Sequence, residues 1–90
     1  GAGTVATGTL QGGPLEAGQG AVLQPSGRAV VLRQLQIHGR TVEQAAPGGR
    51  VAVGLRGVSA NALEAGEVVC APGAYEASLL IDAELMLSRE

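Results

Sequence analysis

Ninety residues with a formal net charge of -2 describe one small domain, since domains run from about 50 to 250 residues. The charge balance argues against a general phosphate-binding protein, whose footprint is a basic patch. A single cysteine cannot form an internal disulfide, and no apolar run approaches the roughly 20 residues that cross a bilayer, so no membrane role is expected. Fifteen glycines and many valines point to short strands and tight turns. The core must be aliphatic, because Tyr75 is the only aromatic residue, and all six basic residues are arginine. The chain is expected to be soluble and cytoplasmic. Its start at Gly1-Ala2-Gly3, without Met and directly into a strand pattern, reads as a piece of something longer.

In chain order, Thr4 to Leu10 is predicted as a strand with Val5, Thr7 and Thr9 on one face and Thr4, Ala6, Gly8 and Leu10 on the other. Gly12-Gly13-Pro14 breaks it. A short strand over Ala21 to Leu23 and a turn at Pro25-Ser26-Gly27-Arg28 lead into a longer strand, Ala29 to Ile37. Strict alternation there sets Ala29, Val31, Arg33, Leu35 and Ile37 against Val30, Leu32, Gln34 and Gln36. Gly39 ends it. Thr41 to Ala45 reads as a short strand or extended link, and Pro47-Gly48-Gly49 turns into Arg50 to Leu55. Val68 to Ala71 and Ala77 to Leu87 complete the set around Pro72-Gly73, the last with Asp82 and Glu84 on a wet side. Leu15-Glu16-Ala17-Gly18 and Leu63-Glu64-Ala65-Gly66 are identical. Each is expected to form one helical turn with a left-handed Gly at its end and the Leu tucked inward. The fold class is all-β: a small closed antiparallel barrel of about six strands.

Within Pro47–Gly57, Val51, Val53 and Leu55 share one face, and Arg50, Ala52, Gly54 and Arg56 share the other. Two cations flanking two of the smallest residues describe a shallow depression with positive rims, suited to a small anionic or polar group. The plainer alternative is a solvated barrel strand. Gly1-Ala2-Gly3-Thr4-Val5-Ala6 matches a dinucleotide fingerprint only formally, because a strand rather than a helix follows it. No G-x-x-x-x-G-K-[ST] phosphate loop is present, so the chain hydrolyses no nucleotide by itself. His38, Cys70 and the carboxylates show no metal-ligand spacing. Val68-Val69-Cys70-Ala71 reads as a buried strand with a core thiol, which argues against Cys70 as a nucleophile. His38 lies at a strand end, where exposure and a ligand contact are both open. Gln34 and Gln36 share a strand face; they either meet solvent or read a base edge or ribose.

These residues also carry a resemblance. Gly1–Leu10, Leu15-Glu16-Ala17-Gly18, Leu35-Gln36-Ile37-His38-Gly39, Val42-Glu43-Gln44-Ala45, Pro47–Val53, Leu63-Glu64-Ala65-Gly66 and Val68–Gly73 occur in order. Together they resemble domain II of the translational GTPases, the barrel that follows the G domain in elongation factor Tu. The stretch from His38 to Arg50 is similar to the selenocysteine-specific branch of that family. The resemblance implies a barrel over residues 1–74, with 75–90 as the connection to domain III and its opening strand. It implies that Val5, Gln36, Ile37 and His38 lie at the tRNA 3′ end, and that Thr7 and Arg50 face the aminoacyl group. Arg50 stands where Tu-like factors carry an uncharged amide, and Gln36 where many carry an acidic residue. The implied pocket also draws an acidic–basic pair from a strand preceding Gly1.

By the same resemblance the partners are selenocysteinyl-tRNA, the ribosome, and the adjacent G domain and domain III. GTP and Mg would be cofactors of the neighbouring domain, and this chain would have none and would not itself be an enzyme. Two rival readings remain open: a domain II that acts as a structural or ribosome-contacting module, and a small cofactor-binding barrel of similar shape.

Overall fold

A computed structural model of the chain describes residues 4–58, 67–72 and 76–85, with 82–85 as backbone only. Among these residues nine strands follow in order: β1 (Thr4–Gly12), β2 (Leu15–Glu16), β3 (Gly20–Gln24), β4 (Ala29–Ile37), β5 (Arg40–Val42), β6 (Gln44–Ala45), β7 (Arg50–Arg56), β8 (Val68–Ala71) and β9 (Ala77–Leu85). No helix occurs among the described residues. The strands β3-β8-β9-β1-β7-β4 pair in that order, and β4 returns to β3, so the antiparallel sheet closes on itself. The extra strand β5 pairs with the C-terminal part of β4. Closure removes the open edges that a flat six-stranded sheet would expose.

The barrel is filled by one residue from every second position. Ala6 and Leu10 from β1, Val51, Val53 and Leu55 from β7, and Leu79 and Ile81 from β9 are all buried. Leu10, Leu32, Leu35, Leu55 and Leu79 are fully buried, each contributing about 2 kcal/mol relative to an exposed side chain. Gly8 is demanded by close approach: a Cβ there would collide with the carbonyl oxygen of Leu80 on β9. The alternation expected for Thr4 to Leu10 and for Arg50 to Leu55 holds at every position.

Three expectations change. Strict alternation along Ala29–Ile37 fails because β4 carries a bulge. Val31 opposes Arg56 and Leu32 opposes Leu55, but Gln34 already opposes Gly54, so Arg33 is an extra residue. An extra residue reverses the phase of all that follow. Val30 and Leu32 point inward before the bulge, Leu35 after it, and Gln34 is exposed.

The Leu15–Gly18 corner is an extended pair, not a helical turn. Leu15 and Glu16 pair with Ala45 and Gln44, while Gly18 is left-handed (φ 92°) and Leu15 is a fully buried plug, as expected. The corner is tied to β4 beside the bulge: the Gly18 N–H donates to the Leu32 carbonyl at 2.6 Å, and the Leu32 N–H donates to the Gln19 carbonyl at 2.9 Å. The second copy, Leu63–Gly66, lies outside the described residues, as does Tyr75.

Cys70 is half-buried on the outer surface of β8, not in the core, because Val69 and Ala71 take the inward positions. The last strand expected from the residues, Ala77 to Leu87, is present as β9 and completes the barrel, pairing with β1 on one side and β8 on the other.

Candidate functional site

The outer surface of β4, β7 and β1 assembles most of the candidate residues, and the strand registers say how. Gln36 opposes Ala52, and Ala52 opposes Thr7. Beside that row, Gln34 opposes Gly54, which opposes Val5, and Arg50 opposes Thr9. At ordinary strand spacing Gln36 and Thr7 stand about 10 Å apart across Ala52. The small Ala52 and Gly54 form the floor. A depression of about 50 Å³ opens there, lined by Val5, Gln34, Gln36, Ala52 and Gly54. Its volume matches one or two waters, so it is a footprint that receives the edge of a group, not an enclosing pocket.

Each rim has a local cause. The Pro47-Gly48-Gly49 turn is fastened to the end of β1: the Leu10 N–H donates to the Gly49 carbonyl, and the Gly48 N–H donates to the Leu10 carbonyl, both at 2.9 Å. This fixes where β7 begins and brings exposed Arg50 to the outer face beside Thr9. On the far side, the Gln34 amide Nε2 donates to Thr41 Oγ1 at 3.2 Å, bridging β4 and β5. His38 and Gly39 are the two central residues of the β4–β5 hairpin, since Ile37 opposes Arg40. Both have positive φ, 53° and 77°, the geometry of a type I′ turn that matches strand twist. His38 is therefore exposed at the hairpin tip.

Of the residues singled out in sequence, Val5, Thr7, Gln36 and Arg50 come together on this outer face, and His38 lies at its edge. Ile37 differs. It packs against the core from beneath, together with Val42, because the bulge set its phase. Gln34, Ala52 and Gly54 line the depression itself. Their signal was present in the small residues of β7, but the partner opposite them depends on register.

A property of the whole face was not legible from net charge. Strands β1, β4, β5 and β7 hold four of the six basic residues, Arg33, Arg40, Arg50 and Arg56, and no Asp or Glu. All four are exposed. The acidic residues with described side chains belong to other segments: β2 (Glu16), between β5 and β6 (Glu43), before β8 (Glu67) and before β9 (Glu76). An acidic chain thus carries a positive sector, which attracts anions over about a Debye length. Among the described residues no cluster of three or more His, Cys, Asp or Glu could hold a metal ion. Nor is any described helix long and apolar enough to cross a membrane.

No family model matches the chain, and no solved structure matches it. Curated relatives do. The chain is 41% identical over 85 residues, 94% of its length, to the selenocysteine-specific elongation factor of Desulfomicrobium baculatum. It is 36% identical over 72 residues to elongation factor 1-alpha of Ignicoccus hospitalis, and 32% identical over 68 residues to that of Methanothermobacter thermautotrophicus. These matches cover 80% and 76% of the chain. The chain spans only 13% of the first relative's length and 16% of the other two. With a closed antiparallel barrel and these matches in hand, the chain belongs to the elongation-factor family as a domain II-type barrel, similar to that of the selenocysteine-specific factor.

Proposed function

We propose that this barrel helps hold the aminoacylated end of selenocysteinyl-tRNA for delivery to the ribosome. The observation that supports it is the meeting of Val5, Thr7, Gln36 and Arg50 on the outer surface of β1, β4 and β7, strands that contain no Asp or Glu of their own. In this reading the terminal adenosine rests on Val5 and the small residues of β7, with Gln36 and His38 beside it. Ile37 supports the platform from the core side. Thr7 and Arg50 face the aminoacyl group.

A selenol is more acidic than a thiol, so selenocysteine carries a selenolate at neutral pH while serine stays uncharged. A guanidinium keeps its charge in proteins and presents planar donors. One charge-assisted hydrogen bond contributes about 1.5–3 kcal/mol, or roughly ten- to a hundredfold in affinity. The residues present do not fit GTP, because the chain has no phosphate loop. GTP and Mg belong, in this proposal, to the neighbouring G domain of a complete factor that works in the cytoplasm.

The test is Arg50→Ala in the complete factor, with selenocysteinyl-tRNA and seryl-tRNA binding measured side by side. A loss of about ten- to a hundredfold confined to selenocysteinyl-tRNA is expected. Equal losses for both would reject the selectivity role, and no loss for either would favour a structural or ribosome-contacting module.

A further inference from the structure

The proposed site uses Arg50 at one end of β7 and leaves Arg56 at the other. Five residues lie between them, and the six residue steps span about 20 Å of strand. Arg56 opposes Val31, and the bulge places Arg33 just beyond the Leu32–Leu55 pair on the neighbouring strand. Both arginines are exposed. The bulge matters here: Arg33 and Gln34 are consecutive, yet both are exposed, which regular alternation forbids. The extra residue in β4 therefore adds a second cation at the Arg56 end of the face without costing a core position. The strands between the two ends carry no carboxylate.

We infer that Arg33 and Arg56 form a phosphate clamp for the single-stranded RNA segment leading to the aminoacylated nucleotide. This rests on the reading of the face as the aminoacyl-tRNA site. The charge complementarity is direct: guanidinium pairs with phosphate in a bidentate, sequence-independent manner. The two ends then divide the work. Arg50 discriminates the cargo, whereas Arg33 and Arg56 bind any RNA strand lying along the face.

The experiment is Arg33→Gln/Arg56→Gln in the complete factor, with binding of selenocysteinyl-tRNA and seryl-tRNA measured across salt. Removing two phosphate contacts to a single strand is expected to lower the slope of log affinity against log salt by about 1.4. The wild-type advantage then shrinks about sevenfold between about 50 and about 200 mM salt, equally for both tRNAs. Arg33→Lys/Arg56→Lys is expected to retain the wild-type slope. Gln24→Glu/Val68→Glu, on paired positions of β3 and β8, makes the same change in net charge on the side of the barrel away from β7 and is expected to leave the slope unchanged. An unaltered slope in the double Gln variant would overturn the clamp, as would an equal change in the opposite-surface control. A loss confined to selenocysteinyl-tRNA would overturn it too. Failure of the proposed function shows separately, as Arg50→Ala losses that do not discriminate between the tRNAs.

Discussion

The two sides of this barrel share a core and differ outside it. On β5, β4, β7 and β1 the outward positions carry Arg, Gln, Thr and small residues. On β3, β8 and β9 they carry Val22, Cys70, Ser78, Val68 and Leu80, in register as Val22–Cys70–Ser78 and Gln24–Val68–Leu80. Leu80 is 47% exposed there, and Val31, where β4 meets β3, is 39% exposed. Inner positions obey one rule on both sides, because burial of aliphatic surface drives closure wherever the strand lies. Outer positions are free of that rule, so their chemistry is where a binding role is recorded. The positive, small-residue sector can seat a polar anionic ligand. Among the described side chains the other sector is mainly apolar, with Gln24 and Ser78 its polar members.

The comparison breaks first at the seam where the sectors meet. Gly8→Ala drives a Cβ into the Leu80 carbonyl, and backbone cannot step aside as a side chain can. The expected cost is about 3 kcal/mol, the upper end for overpacking, read as a fall of more than about 10 °C in Tm. Both sectors would be lost together. Gly54→Val separates binding from stability. Its Cβ would lie 3.5 Å from the Gln34 Cβ, an ordinary contact, so stability should change by less than about 1 kcal/mol. The depression would be filled, and tRNA binding should fall by roughly tenfold. The smallest effect belongs to the apolar sector. Leu80→Gln should shift stability by no more than about 0.5 kcal/mol in denaturant unfolding and leave tRNA affinity as it was. A tRNA-binding loss at Leu80 comparable to that at Gly54 would erase the functional distinction between the sides.

Much of the site was legible in the sequence because its residues lie on strands of unbroken alternation. β1 and β7 could be divided into faces by counting in twos, so Val5 was grouped with Thr7, and Arg50 with Ala52 and Gly54, before any pairing was known. Ile37 and Cys70 were harder. Ile37 follows a bulge, and one inserted residue reverses every later side chain on β4. Cys70 lies in Val-Val-Cys-Ala, a run too uniformly apolar for periodicity to say which side is wet. Gln34 was recognised as polar, but its bond to Thr41 depends on the β4–β5 hairpin.

What the sequence determined by itself was local: extended segments, the turns that separate them, and the aliphatic half of each strand. These follow from steric preference and a period of two, which need no partner. Only the tertiary structure decided that β1 lies between β7 and β9, that Arg33 is the extra residue of β4, and that four arginines lie on neighbouring strands containing no Asp or Glu of their own. Those outcomes depend on long-range register, where hydrogen bonding across the sheet and closure of the core select among pairings that local preference leaves equal.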